Sequence, residues 1–427
     1  MRETDLTVIA PAGDLLVEVR CDDGNDGFSY RVDAELLRQS SPYFRALLGS
    51  GFSEGARVIA EHGKLNKKYG DDFITEATAD ELPRVCISNI GKISKVNTIK
   101  NITADFLRAV HGLDLAVPSP PIQNIANLAI VADRFDALPS FSKFVRRKKY
   151  LQTLDAKTKP KPSSNMSEER VRQRLLIGIL LDHPPWVTKY SKQLIMNDSV
   201  QWKPQAKDEE SSALWWDIPR GVEDEMIYRR ECVLETISSL QSHFLKLYTS
   251  GERQCKLGYD TSVQCDSFQL GEMVRFFIRL GTLRLQGTIY DVEQPPHYSG
   301  DIDRLLESLR QCPSYQLDKN HSHCGLRARL IPLLDLIQNQ LGLDSRNVDV
   351  GLCAECWSNH RAQYAWSEAK RPLLWTRTRL LSRTIPSIAP REKTGRRPSQ
   401  SSCLAGHVVV RDMFTAVERD WTAKDAY

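Results

Sequence analysis

Six of the ten cysteines fall between positions 255 and 356, and two of them form the tight pair Cys353-Ala354-Glu355-Cys356. No other feature restricts the fold of this region so strongly, because thiols in separate short segments must either converge or bury singly. The six are Cys255, Cys265, Cys312, Cys324, Cys353 and Cys356, whereas Cys21, Cys86, Cys232 and Cys403 are scattered. Cys255 and Cys265 flank a turn-like Gly258-Tyr259-Asp260. Cys312 ends an amphipathic stretch, and His323 adjoins Cys324 with His321 close by. Zinc takes four nitrogen or sulfur ligands in a tetrahedron, and a C-x-x-C turn supplies two from one segment. The candidate ligands are therefore Cys255, Cys265, Cys312, His323, Cys324, Cys353 and Cys356, in one or two closed structural sites, with His321 as a further donor. The spacings match no standard finger. Two other readings stay open: core thiols, since cysteine is among the most buried residue types, and a redox pair at Cys353 and Cys356. The redox pair would want a βαβ setting that this stretch does not offer.

The residues around these cysteines have helical periodicity. Val233, Ile237, Leu240, Phe244 and Leu247 form one apolar stripe that Gly251 can terminate. Asp266 and Gln269 suggest a capping box opening a helix through Phe277. Ile302 to Leu309 and Leu330 to Leu341 give two more amphipathic helices. The expected organisation is an α+β domain over 1–147, a basic Pro/Ser-rich linker over 148–166, and a mainly α-helical region over 167–376 with its Cys/His-rich part at 255–356. A basic segment over 377–402 and a C-terminal helix over 403–427 complete it.

In the first region, LTVIA and LLVEVRC read as a hairpin about Pro11-Ala12-Gly13-Asp14. Ser40 or Ser41 can cap a helix carrying Tyr43, Phe44, Leu47 and Leu48. A polar insertion follows, then RVCISNI as a strand, with ADFLRAVHGL and IQNIANLAIVADRFDAL as helices.

This order resembles the BTB/POZ family. The resemblance rests on Asp14 opening the first hairpin, on Leu37 with Ser41-Pro42-Tyr43-Phe44, on Phe52-Ser53-Glu54, and on Ala132-Asp133-Arg134-Phe135. Asp33 stands where the family often has His, and an insertion at about Glu61 to Asp80 precedes the Cys86 strand. The later stretches WWDIPRGVEDEM and CPSYQLDKNHSHCGLR resemble those of fungal BTB-containing proteins. The resemblance implies a domain that self-associates or binds other chains, with Tyr43, Phe44, Phe52 and Glu54 as partner-binding candidates. In members that recruit cullin-type ubiquitin ligases, the segment matching Phe52 and Glu54 contacts the ligase scaffold.

Gly51-Phe52-Ser53-Glu54-Gly55 fits the G-x-S-x-G pattern, but a hydrolase elbow needs a strand before the serine and a helix after it. Here a helix precedes, and a loop and strand are expected to follow. No Walker A loop, H-E-x-x-H or dinucleotide fingerprint occurs, so the reading is non-enzymatic. No run of about 18 apolar residues is present, which excludes a membrane helix. The opening MRETDLTVIAPAGD lacks an apolar h-region, so an intracellular protein of nucleus or cytoplasm, not a secreted one, is expected. Arg146-Arg147-Lys148-Lys149 with Lys157, Lys159 and Lys161, and the cluster Arg391, Lys393, Arg396 and Arg397, read as solubilising charge or nuclear import signals. Without interleaved aromatics, they do not support sequence-specific nucleic-acid binding. The leading expectation is a protein-interaction scaffold or adaptor. The alternatives are a substrate adaptor of a cullin-type ligase and a chromatin- or transcription-associated factor.

Overall fold

The computed structural model describes residues 6–20, 27–70, 76–94, 99–157, 166–197, 199–202, 213–256, 262–283, 300–342, 349–376 and 401–422. The chain is mixed α/β and mostly helical, and it divides into two units. The first comprises Met1–Tyr190 with Gln205–Arg220, and the second Ser191–Pro204 with Gly221–Tyr427. No described helix is long and apolar enough to cross a membrane.

The first unit holds a four-stranded sheet of β1 (Leu6–Val8), β2 (Leu15–Arg20), β3 (Gly27–Val32) and β4 (Arg84–Ile87), in the order β1-β3-β2-β4. The expected pairing of LTVIA with LLVEVRC does not form. Instead β2 pairs antiparallel with β3, Val17 opposite Tyr30, and β1 runs parallel to the far edge of β3, Leu6 opposite Ser29. Leu15, Leu16, Val17 and Val19 are all buried, so β2 needs a neighbour on each side, and β4 joins it in parallel. The Pro11–Asp14 segment therefore reverses the chain across the end of β3, not in a tight hairpin between paired neighbours. Gly13 is required there, because a Cβ would come within 2.6 Å of the Val32 carbonyl oxygen.

Two short helices follow, α1 (Ala34–Ser40) and α2 (Pro42–Leu47). Asp33 caps α1 by accepting from the Glu35 and Leu36 amides, and Asp14 Oδ1 accepts from the Ala34 amide at 2.8 Å. Ser41 caps α2, accepting from the Phe44 amide at 3.1 Å while its hydroxyl donates to the Phe135 carbonyl. Phe44, Phe106 and Phe135 lie buried beside one another, with Phe135 centred 5.2 Å from Phe44 and 5.5 Å from Phe106. The expected polar insertion is largely a helix, α3 (Ser53–Tyr69), which Gly70 ends at a φ of 71°. Its buried face is narrow: Val58 is buried, and Leu65 packs with Leu16, Ala77 and Leu82.

Helices α4 (Ile99–Val110), α5 (Ile122–Arg134) and α6 (Leu138–Arg147) cover the rest of the expected first domain. The unit then continues beyond position 147. Helix α7 (Tyr150–Lys157) lies in the stretch expected as linker and buries Tyr150, Leu151 and Leu154. Helix α8 (Glu168–Leu180) buries Val171, Leu175, Leu176 and Ile177 and packs on α5. Residues 171–178 are buried on every side of this helix, the polar Arg172, Gln173 and Arg174 included, which explains its inclusion in the unit. The basic run ending α6 is tied down locally: Arg146 donates to the Leu181 carbonyl, Arg147 to that of Gly112, and Lys148 pairs with Asp114. Lys159, Lys161, Arg391, Lys393, Arg396 and Arg397 lie outside the described residues, as does 377–400 of the expected basic segment.

Helix α9 (Pro184–Met196) leads into the second unit. Its C-terminal carbonyls are capped by Arg230, which donates to the carbonyls of Ile195, Met196 and Asn197. Arg230 lies on α10 (Val222–Thr249), the 28-residue helix on which this unit is built. Its buried Arg229 pairs with Glu225 and lies between the rings of Tyr364 and Trp366, 4.8 and 5.0 Å from their centroids. Around α10 come α11 (Val263–Arg279), α12 (Ile302–Arg310), α13 (Leu326–Gln340), α14 (Ala354–Asn359) and α15 (Arg361–Tyr364). Helix α11 is opened by Ser262 and not by an Asp266/Gln269 box. Asp266 instead accepts from the Gln254 amide, and Gln269 donates to the Tyr315 carbonyl.

The expected C-terminal helix is shorter than 403–427. Helix α16 (Ser401–Thr415) gives way to β6 (Glu418–Asp420), which pairs in parallel with β5 (Leu374–Thr376). Phe414 stacks on Trp366 at 5.5 Å, and Trp421 packs on Trp375 at 5.3 Å.

Candidate metal centres

The second unit contains two groups of four donors that could hold a metal ion: Cys255, Cys265, His321 and Cys324, and Cys353, Cys356, Cys403 and His407. Within each, one ligating atom per residue lies within 4.8 Å of the others.

The first group is assembled from four short pieces. Cys255 follows the end of α10 in a segment clamped from two sides. Asp266 Oδ2 on α11 accepts from the Gln254 amide at 2.9 Å, and Arg329 on α13 donates to the Gln254 carbonyl at 2.7 Å. Cys265 sits in the first turn of α11, its amide donating to the capping Ser262 hydroxyl. His321 ends a single 3₁₀ turn that Asp318 caps, and Cys324 stands just before α13, with its carbonyl held by the Tyr248 hydroxyl at 2.9 Å. The sulfur of Cys255 lies 3.8 Å from that of Cys324 and 3.4 Å from His321 Nδ1, and Cys324 Sγ is 3.7 Å from the same nitrogen. The Lys256 amide donates to Cys324 Sγ at 3.3 Å. His321 Nε2, facing away, is 3.9 Å from Asp318 Oδ2, a carboxylate placed to fix the ring's orientation.

All four residues are buried, and the three cysteines pack as a cluster of their own. Burial, reinforced by the neighbouring thiols of Cys324 and Cys255, pushes the Cys265 thiol up to about 12. A bound dication would reverse that balance at Cys265.

In the second group, Cys353 is the residue capping α14, and Cys356 lies in that helix's first turn. Cys403 and His407 are four apart on α16, hence on one face. Cys403 Sγ lies 4.0 Å from Cys353 Sγ and 3.9 Å from Cys356 Sγ. The Tyr364 hydroxyl accepts from the Cys353 amide at 2.6 Å, and His407 meets the Tyr364 ring edge-on at 5.1 Å. Burial, and secondarily the charge of Arg229, drive the His407 imidazole down to about 4, the neutral form a metal requires. The sulfur–sulfur separations of 3.8, 3.9 and 4.0 Å are nearly twice a disulfide bond length.

The sequence-derived ligand set is thus regrouped. Cys255, Cys265 and Cys324 meet in one group, and Cys353 and Cys356 belong to the other. Cys312 joins neither: its thiol is buried at the end of α12, near the Pro313 carbonyl, and burial pushes it up to about 11. His323 is exposed, and His321, two residues earlier, takes the inward position. Cys403 and His407 were not among the candidates. Their C-x-x-x-H spacing, one helical turn, is the signal that could have found them.

In the first unit, Phe44 is buried and Tyr43 half-buried, both against Phe135. Phe52 is 54% exposed at the start of α3. Glu54 stands half-buried in the first turn and accepts from the Ser53 hydroxyl at 2.8 Å. Ser53 follows α2 and opens α3, with no strand before it, and so lacks the setting of a nucleophile elbow. Gly55 has a different reason for being there. A Cβ at that position would fall 2.0 Å from the Gly49 carbonyl oxygen, so the motif's second glycine serves a close chain crossing.

Fold and site together define a mixed α/β, mostly helical chain with two four-donor Cys/His groups. The chain matches no protein-family model, and no curated protein or solved structure is significantly similar to it.

Proposed function

We propose that this chain is a non-enzymatic protein-interaction scaffold, in which a BTB-like first unit self-associates or holds another protein and the second unit is folded around two structural zinc ions. The observation that carries the zinc reading is the convergence of two complete four-donor sets. A tetrahedral zinc site with Zn–S near 2.3 Å and Zn–N near 2.05 Å has sulfur–sulfur edges of about 3.8 Å and sulfur–nitrogen edges of about 3.5 Å. The separations of 3.8, 3.9 and 4.0 Å between sulfurs, and of 3.4 and 3.7 Å to His321, fit those edges. Four protein ligands leave no open position for substrate, which favours a structural role over catalysis.

The BTB-like reading is supported by the antiparallel β2–β3 pair, the two short helices α1 and α2, and the parallel strand β4 before further helices, with the longer helix α3 inserted ahead of β4. Its quoted motif residues Leu37, Ser41, Phe44 and Phe135 are all buried. A substrate adaptor of a cullin-type ligase is the second reading, favoured by the exposure of Phe52 next to Glu54.

Elemental analysis of the purified full chain, paired with sedimentation over a range of concentrations, tests the proposal. Two zinc ions per chain and concentration-dependent association, or capture of a protein partner, are expected. A metal-free, monomeric, partnerless chain would sink it.

A further inference from the structure

The two donor groups differ in their access to solvent. All four residues of the first are buried, at 7, 0, 4 and 2% exposure for Cys255, Cys265, His321 and Cys324. In the second, Cys356 and His407 are buried but Cys353 and Cys403 are half-buried. The sulfurs of these two half-buried residues lie 4.0 Å apart, so a movement of about 2 Å would bring them to bonding distance.

We infer that the second group is a peroxide-oxidisable zinc–thiolate centre, in which Cys353 and Cys403 form a disulfide and expel the metal while the first group keeps its own. The inference rests on the reading of both groups as zinc centres. The reaction balances with a hydroperoxide as oxidant. The two zinc-bound thiolates give up two electrons and a sulfur–sulfur bond forms. The O–O bond of hydrogen peroxide breaks, and with two protons from solvent its oxygens leave as two waters. The zinc ion departs with no change in its own oxidation state. The intermediate is a sulfenic acid on whichever accessible sulfur is struck first, resolved by the other. In the first group, burial keeps peroxide from the sulfurs, and none is accessible enough to begin the sequence.

Oxidation would change how the C-terminal segment is attached. With zinc bound, α16 is fixed at two points one helical turn apart, Cys403 and His407, which sets the rotation of its first turns. The disulfide would leave one covalent point at Cys403 and free His407. The remainder of the segment keeps its independent anchors in Phe414 on Trp366 and Trp421 on Trp375.

The test uses the full chain. Zinc is counted as purified, hydrogen peroxide is added, metal release is followed with a chromogenic chelator, and disulfides are mapped by peptide mass spectrometry. One ion is expected to leave roughly tenfold faster than the other. A Cys353–Cys403 disulfide should appear with the fast phase, and thiol reductant plus zinc should reverse it. Release of both ions at one rate, release of neither, or a disulfide among Cys255, Cys265 and Cys324 would overturn the inference. So would a fast phase without Cys403 in a disulfide. Cys403→Ser should abolish the fast-phase disulfide, and if that variant fails to fold, the wild-type disulfide map decides alone. Absence of zinc from the starting protein would instead overturn the zinc reading itself.

Discussion

Glu225 Oε1 accepts from Arg229 Nε at 2.7 Å, one turn apart on α10, with both side chains sealed from water. The same oxygen accepts from the Trp366 amide at 2.8 Å, and Oε2 accepts from the Ser367 hydroxyl at 2.7 Å. Arg229 in turn donates to the carbonyls of Val350 and Gly351 at 2.9 and 3.2 Å. One buried ion pair therefore holds both ends of the segment that carries Cys353 and Cys356.

Removing one member of such a pair strands the other charge. Glu225→Ala should cost about 3–5 kcal/mol, whereas Glu225→Leu combined with Arg229→Met should cost much less. Denaturant melts of the two variants measure this. Zinc content should fall by one ion per chain in Glu225→Ala, since the second donor group loses its support. Equal destabilisation by the single and double changes would contradict the assignment.

Phe52 and Phe44 are eight residues apart but should respond oppositely. Phe44→Ala removes a buried ring and should lower stability by about 3–5 kcal/mol. Phe52→Ala acts at an exposed position and should stay within about 0.5 kcal/mol. If the α3 start is the contact surface, Phe52→Ala should nonetheless weaken partner capture or self-association at least tenfold. Thermal melts and sedimentation separate the two effects.

His111 accepts from the Asp33 amide through Nε2 at 3.0 Å, while Nδ1 lies 2.7 Å from the Leu107 carbonyl. The ring must be neutral to accept. Burial holds its pKa below the ordinary 6.5. The unfolded chain therefore takes up this proton first, and stability that is full above pH 6.5 declines as pH falls through and below that value. His111→Gln should flatten this part of the stability–pH curve, read from melts between about pH 7 and pH 5.

Gly55→Ala should be strongly destabilising, because the new methyl would meet the Gly49 carbonyl oxygen at 2.0 Å, and that oxygen is a backbone atom with little room to yield. Ser53→Ala should leave the unfolding free energy within about 0.5 kcal/mol of the original, since Ser53 is exposed. A severe loss in Ser53→Ala with none in Gly55→Ala would reverse the account of this motif.

Long apolar stripes were the readable part of the sequence. Val233 to Leu247 and Leu330 to Leu341 mark α10 and α13, because helices buried on one face repeat their apolar residues on every turn. Helix α3 escaped notice since its buried face rests on Val58 and Leu65, seven residues apart among lysines. The place of β1 escaped too, because strand pattern alone does not say which neighbour a strand takes. For the donors, C-x-x-C spacing was legible, but the choice between His321 and His323 turns on one 3₁₀ turn. Cys403 is not legible as a ligand from the sequence alone, because its partners Cys353 and Cys356 lie far away in the chain. Cys312 shares its neighbours' residue type and local density but ends a helix that points it into apolar packing.

The spacing of the two donor groups along the chain gives synthesis a direction. An elongating polypeptide completes its first set once residue 324 has emerged, but the second only after His407. From the emergence of Trp366 until that of Phe414 the tryptophan lacks its ring neighbour, and Cys353 and Cys356 are half of a donor group until His407 follows. The nascent protein thus passes through a stage in which one donor group of the second unit is complete and the other is an open surface of aromatic rings and thiols. That stage is the one most exposed to mispairing and to holdase chaperones.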